Sequence, residues 1–315
     1  MIRNIALDRL KLILALMVVG IHGQVFIDVS PVSSWLTVNG LFRIAVPIFL
    51  LINGYFLAAI IDDPEARRRW FVRILSLYVI WMAIYAPMWM SQAGSMGKAV
   101  YFVAIGWLHL WYVIGLLCAG LLLVLTRRWG SRFVAVSALF LFLVGVAIQY
   151  AGIYDLVGGL AGTVADKFGA HRNFLFLAYP LLACGYLIRR HDWDGLINMQ
   201  QAIWLTACGL VLLLVESGLI YWTAPETAAV DNYISVGLAA PAIFLMAKQI
   251  KIEGRFGKET SLLANGIYFI HPLLLVGMGI NDAMTATAAT VVTIALSTVV
   301  AWGMVKLSVI RKWLL

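Results

Sequence analysis

Charge is scarce in this chain, and acidic charge scarcer still. Only 15 Asp and Glu stand against 23 Lys and Arg in 315 residues, and charged residues make up 12% of the total. A soluble domain carries about twice that share, so a water-facing surface around the whole molecule is not expected. Cysteine is nearly absent. Cys118, Cys184 and Cys208 all fall inside apolar runs, which argues against a disulfide framework or a metal cluster and for a packing role. There is no G-x-S-x-G elbow, no phosphate-binding P-loop, no H-E-x-x-H pair and no cysteine pair at zinc-ligand spacing, so no metal site is expected. The H-x5-D spacing of His22 and Asp28 is one residue too long for the H-x4-D of glycerolipid acyltransferases. No internal repeat is visible, which weakens a repeat-built secondary transporter.

What the chain has is apolar length. With 63% hydrophobic residues and a mean hydropathy of +0.94, it reads as an all-α, polytopic membrane protein forming one domain over residues 1–315. Ten apolar runs of roughly span length lie near residues 6–26, 34–61, 73–91, 107–126, 133–151, 173–188, 200–222, 232–247, 262–280 and 287–306. Alternate connections carry the cations: Arg67, Arg68 and Arg69; Arg127, Arg128 and Arg132; Arg189 and Arg190; Lys248, Lys251, Arg255 and Lys258; and Arg311 and Lys312 near the end. The other connections hold Lys98, Lys167 and Arg172 beside Asp155, Asp166, Glu226, Asp231 and Asp282. The positive-inside rule then places both termini in the cytoplasm, and topology accounts for the net charge of +8 without a nucleic-acid partner. The first run has no small-residue cleavage site, so it is expected to remain as a helix. The external segment 152–172 reads as a loop or short interfacial helix.

The first run, ALDRLKLILALMVVGIHG, holds the most informative pair. Lys11 and His22 are eleven residues apart, within about 20° of three full helical turns, so they share one face about 16 Å apart along the axis. Ionisable groups at membrane depth mark a site or a pathway, and imidazole is the side chain able to take and return a proton near neutrality. Asp8, three residues before Lys11, is placed to pair with it. Arg43 lies in an apolar run that Pro47 is expected to kink. It either binds an anionic group or pairs with Glu216, the one acid deep in a run. Arg69 and Arg73 share a helix face and either receive phosphates or anchor topology. His109, between Trp107 and Trp111, reads as a site residue or as part of an interfacial aromatic belt. His271, about one turn after Tyr268, is a site residue or a hydrogen-bonding partner of a neighbouring helix. His171 and His191 fall in loops and are expected to be solvated.

The segments carrying these residues resemble the integral-membrane acyltransferase-3 family, which includes bacterial O-acetyltransferases of surface glycans. LDRLKLILALMVVGIH is similar to its L-D-x-x-R-G opening and its R/K-x10-H signature, with Lys11 and His22 in the signature positions. FRIAVPIFLLINGYFL resembles R-x-x-V-P-x-F-F-x-x-S-G-Y/F-x-L, and RRRWFVRILSLYVIW resembles R-x-x-x-R-I-x-P-x-Y. HLWYVIGLL and IYFIHPLLL complete five matches in the family's order, from the first run to the ninth. Lys11 replaces the commoner Arg, Leu12 a frequent Gly, Asn53 the usual Ser, and Ser76 a frequent Pro. Lysine keeps the charge but loses the bidentate fork. No hydrolase-like extra domain is expected, so transfer is expected to be completed within the spans.

The resemblance implies a multi-pass protein of the bacterial inner membrane that moves an acyl group, most often acetyl, from cytoplasmic acyl-CoA to a hydroxyl of a lipid-linked or polymeric glycan. Acetyl-CoA is then a donor substrate; no permanently bound cofactor is expected, and the partners are acyl-CoA, the glycan and membrane lipids. In this reading His22, Lys11 and Arg43 are the catalytic candidates, with His22 as base. Arg69, Arg73, Trp111 and Tyr268 are the donor-binding candidates. Asn53, Tyr268 and His271 are candidate oxyanion donors, and Asp8, Glu216 and His109 are further candidates. A secondary transporter or glycan flippase would use the same intramembrane charges, with Glu216 as proton site.

Overall fold

The computed structural model describes residues 4–224, 230–252, 257–277, 279, 284–307 and 313–315; Arg255, Arg311, Lys312, Glu226 and Asp282 of the charge pattern lie outside them. Among the described residues the chain is helical, without strands. The principal helices are α1 (Ile5–Gly23), α2 (Pro31–Ala58), α3 (Pro64–Ile84), α4 (Ala86–Ala93), α5 (Met96–Ile105), α6 (Leu108–Trp129), α7 (Ser131–Ile153), α8 (Tyr179–Arg190), α9 (Met199–Thr223), α10 (Val236–Gln249), α11 (Gly257–Gly277) and α12 (Ala286–Lys306). Their starts follow ordinary capping chemistry. Asn4 accepts from the Leu7 amide, Asp63 accepts from those of Glu65 and Ala66 ahead of Pro64 at the first turn, and Asn198 with Gln201 closes a capping box.

Six of these helices, α2, α6, α7, α9, α11 and α12, are long and apolar enough to cross a membrane, and α3 with α4 forms a further candidate bent by 67°. The other three expected runs are helical but differ in kind. The 19-residue α1 carries Asp8, Arg9 and Lys11, α8 has 12 residues, and α10 has 14. The segment 152–172 does contain short helices, Gly159–Ala165 and Phe168–His171.

The bend expected at Pro47 lies elsewhere. Within α2 the chain passes through a π turn at Trp35–Gly40 and a 3-10 turn at Leu41–Ile44, breaking at Gly40 with φ −108° and ψ −97°. Pro47 sits in the first turn of the α segment that follows, where its missing N–H removes no intrahelical bond. The break turns Arg43 toward the molecular interior. Two more π turns, Phe174–Ala178 ahead of α8 and Leu273–Gly277 after His271 and Pro272, flank other polar residues of the interior. Such insertions re-aim side chains and recur at functional sites.

The bundle is held by close backbone contact. At the crossing of α2 and α8, a Cβ on Gly54 would overlap the Leu182 carbonyl, and one on Gly185 would overlap the Leu51 carbonyl. Reciprocal glycines of this kind let two helices approach where no hydrophobic difference from lipid drives them together. Gly185→Ala is expected to lower stability by about 1–3 kcal/mol, and Gly185→Leu to abolish the monodisperse peak in detergent size-exclusion chromatography; a wild-type melting curve for Gly185→Leu would show that this contact does not hold the bundle.

Candidate functional site

Three histidines from three helix ends meet in the interior. His22 ends α1, His109 lies in the 3-10 turn Leu108–Leu110 opening α6, and His271 closes the regular part of α11. Ring centroids are 5.2 Å apart for His22 and His271, 5.3 Å for His109 and His271, and 6.4 Å for His22 and His109. His109 is therefore not part of an aromatic belt: it is 2% exposed and packed on Tyr85 and Tyr268. The turn that buries it is strained, with Leu108 at φ +49° following Gly106 at φ +91°. Both ring nitrogens of His109 and Nε2 of His271 are buried without a protein partner. His271 Nδ1 lies 3.1 Å from the Ile267 carbonyl, which can only accept, so Nδ1 carries the proton and Nε2 is left as an acceptor in the neutral ring. Among the described residues no group of three His, Cys, Asp or Glu is arranged to hold a metal ion.

His22 and His109 line a pocket of about 40 Å³, with Arg43, Trp111, Arg172, Asp231 and Tyr268, enough for a water or two. Asp231 lies between the two arginines. Arg43 Nη1 is 2.5 Å from Oδ1 and Arg172 Nη1 is 3.3 Å from Oδ2, while Arg43 Nη2 donates to Asn39 Oδ1 at 2.5 Å. Arg172 also lies over the rings of Trp111 and Phe168, at 5.2 and 4.4 Å. The partner of Arg43 is thus Asp231 and not Glu216. Glu216 accepts from the Tyr150 hydroxyl and from the amides of Ile234 and Ser235, closing the start of α10. Buried Gln149 fixes the segment that carries Asp231, its Oε1 accepting the Asp231 and Asn232 amides at 2.8 and 2.7 Å. Asp231, Arg172 and Gln149 are site residues that sequence reasoning left among loop charges or did not single out.

A second cavity, of about 200 Å³, lies on the other side of Tyr268 and is lined by Lys11, Asn53, Arg73, Tyr112, Ser261 and Asn265 among others. Lys11 and His22 therefore share a helix face, as their spacing implies, but open into different spaces. Lys11 lies 3.9 Å from Asp8, donates to Ser261 at 3.4 Å and faces the Phe56 ring. Tyr268 lines both spaces and donates to the His109 carbonyl at 2.6 Å. Asn53 Nδ2 donates to the Phe49 carbonyl and to the Tyr112 hydroxyl, both at 2.9 Å. That uses both of its N–H groups, whereas the Tyr112 proton has no protein acceptor among the hydrogen bonds of the described residues. Trp111 sits in the His22 pocket, away from the inner cavity. Arg69 is exposed and pairs with Glu65 at 3.4 Å, and Arg73 donates to the Leu315 carbonyl at 2.7 Å.

His171, expected to be solvated, is fully buried. Its carbonyl accepts from Asn232 Nδ2, which draws the short helix Phe168–His171 inward. Burial lowers its pKa to about 4, with Arg172 and Arg43 acting in the same direction and the Asp231 carboxylate opposing them.

A helical membrane protein with an interior histidine cluster, beside a pocket that shares one tyrosine with a second polar cavity, is the class that this geometry defines. The chain belongs to the acyltransferase-3 family: the family model described as an acyltransferase domain matches residues 4–306. Similar curated proteins include a serine/alanine racemase of Enterococcus gallinarum, 25% identical over 87% of this chain, and an amino-acid racemase of Enterococcus faecalis, 26% identical over 86%. In both cases the match covers 41% of the relative, so this chain spans about two fifths of their length. No solved structure matches.

Two outcomes follow from the charges. Asp231→Ala leaves two guanidinium groups facing each other without their counter-ion and is expected to cost about 3–5 kcal/mol, read as a lower melting temperature that Arg172→Ala partly restores. His171 folds in its neutral form, while the unfolded imidazole protonates at about 6.5. Its contribution is whole above that pH and is lost as the pH falls toward about 4, with a slope of at most about 1.4 kcal/mol per pH unit. Melting curves between pH 7.5 and 5 should therefore flatten in His171→Phe; an unchanged slope would contradict the assignment.

Proposed function

We propose that this protein is a membrane O-acyltransferase, moving an acyl group from cytoplasmic acyl-CoA to a hydroxyl of a lipid-linked or extracytoplasmic glycan. In this reading all ten helical runs cross the bacterial cytoplasmic membrane and both termini lie in the cytoplasm, the orientation favoured by the arginine-rich connections. A short acyl group, acetyl, is the choice that the family likeness favours. The observation that carries the reading is the placement of His22 in one pocket and Lys11 in another, with Tyr268 as their common wall. A reaction between a donor from one side and an acceptor from the other needs its base at that wall.

His22 takes the proton of the acceptor hydroxyl as the oxygen attacks the thioester carbonyl. The tetrahedral oxyanion needs a donor that is still unused. Asn53 and Tyr268 already donate to protein acceptors, and His271 in its neutral form presents only an acceptor nitrogen. The Tyr112 hydroxyl meets the requirement from the inner cavity. Collapse breaks the C–S bond, and the departing thiolate receives the proton from His22. Lys11 offsets negative charge near the donor, and Arg43 with Arg172 keeps the acceptor pocket cationic around Asp231.

The curated relatives are named as racemases, a reaction that needs no thioester. Proton-coupled transport through the same two cavities is the second reading, favoured by Tyr268 lining both of them. Label transfer from radiolabelled acetyl-CoA into lipid-linked or polymeric glycan by native-host membranes tests the first. Wild type should incorporate label, and His22→Ala, at equal protein level, should lose at least about 100-fold, with Lys11→Ala also impaired. No incorporation, with acetyl-CoA left intact, would reject acetyl transfer and turn attention to other acyl donors and then to transport.

A further inference from the structure

A third cavity, of about 830 Å³, lies beneath α1 and shares Lys11 and Ser261 with the inner cavity. It is within the range of small-molecule sites, about 300–1,000 Å³. Its wall carries four cations, Lys11, Arg189, Lys248 and Lys251, against the carboxylate of Asp8. Two of these heads are held in place. Arg189 donates to the Tyr55 hydroxyl at 3.1 Å, that hydroxyl donates to Asp194 at 3.0 Å, and Lys248 pairs with the same carboxylate at 3.0 Å. Arg189 and Lys248 also lie 5.3 and 5.5 Å from the centre of the Tyr55 ring. Two cations anchored on a buried tyrosine and a lysine further along the wall are the chemistry that receives a group bearing several phosphates.

The Arg69 and Arg73 face offers an alternative mouth of about 700 Å³, which meets the inner cavity at Arg73 and Leu77. That connection is occupied by the protein itself. Arg73 and Asn265 both donate to the Leu315 carbonyl, at 2.7 and 3.0 Å, and Trp81 donates to that of Leu314 at 3.2 Å. Leu315 is fully buried and lines the inner cavity.

We infer that the cavity lined by Lys11, Arg189, Lys248 and Lys251 is the mouth through which the donor enters and that it binds the donor's phosphates, an assignment that rests on the acyl-CoA reading. The linear arm of the thioester then passes Lys11 and Ser261 into the narrower inner cavity, toward Tyr112 and Tyr268.

Free CoA is the probe, titrated against the purified full chain in nanodiscs with 3′,5′-ADP as competitor. Lys251 lies outside the Tyr55–Asp194 network, so its replacement leaves that network intact. Lys251→Glu should weaken CoA binding at least tenfold, Lys251→Arg should restore it, and Arg68→Glu on the other mouth should stay within threefold of wild type. In the transfer assay Lys251→Glu should raise the KM for acetyl-CoA and leave kcat nearly unchanged. A tenfold loss in Arg68→Glu with none in Lys251→Glu would overturn the assignment of the mouth and leave the acyl-CoA reading standing. No CoA binding by folded wild type would overturn that reading itself. Nanodiscs of phosphatidylglycerol and of phosphatidylcholine separate the other phosphate source: if Lys251→Glu loses stabilisation by phosphatidylglycerol but keeps its CoA affinity, the cavity holds a lipid headgroup and the inference fails.

Discussion

A carboxylate held between two guanidinium groups organises one half of this molecule. Asp231 joins Arg43 on α2 to Arg172 in the segment before α8, and three elements distant in sequence converge because none of these charges is stable alone at low dielectric. The arrangement explains features that otherwise have no common cause. The π and 3-10 turns of α2 carry Arg43 to the carboxylate, Gln149 pins the backbone on either side of Asp231, and Asn232 pulls the short helix bearing His171 into the interior. His22 lies in the pocket that results, so the electrostatics of this triad set the environment of its ring.

Helix content and most of the inner residues were legible in the sequence because each follows a local rule. Hydropathy marked the apolar runs, the eleven-residue spacing put Lys11 and His22 on one face, and the three-residue spacing paired Asp8 with Lys11. The pairing of Arg43 was not legible. Glu216 is the acid within an apolar run, whereas Asp231 lies in a connection, and only the tertiary path of residues 230–235 brings it to the arginine. His109 misled for a related reason: tryptophans at a helix end suit an interface and a packed interior equally well, and the strained turn at Leu108 decides between them. His171 shows that a polar residue in a loop can be drawn fully inside when its backbone carbonyl has a buried donor to satisfy.

The three π turns offered a signal that periodicity misses. Each lies within a few residues of Arg43, Arg172 or His271, and each follows or contains an interruption of regular helix in an otherwise apolar stretch. A polar residue within an apolar run needs its side chain redirected toward partners rather than lipid, and inserting one residue into the helix is a local way of doing so.

The hydrogen bond from Tyr268 to the backbone of His109 has a consequence for the membrane as a whole. A protein whose polar cavities met in an unbroken file of water would conduct protons across the membrane. Anchored by its hydroxyl, Tyr268 is the lining residue that the His22 pocket and the cavity around Lys11 share. A smaller side chain at this position would bring the two spaces nearer to one continuous path, so insulation is a demand on Tyr268 separate from any chemistry.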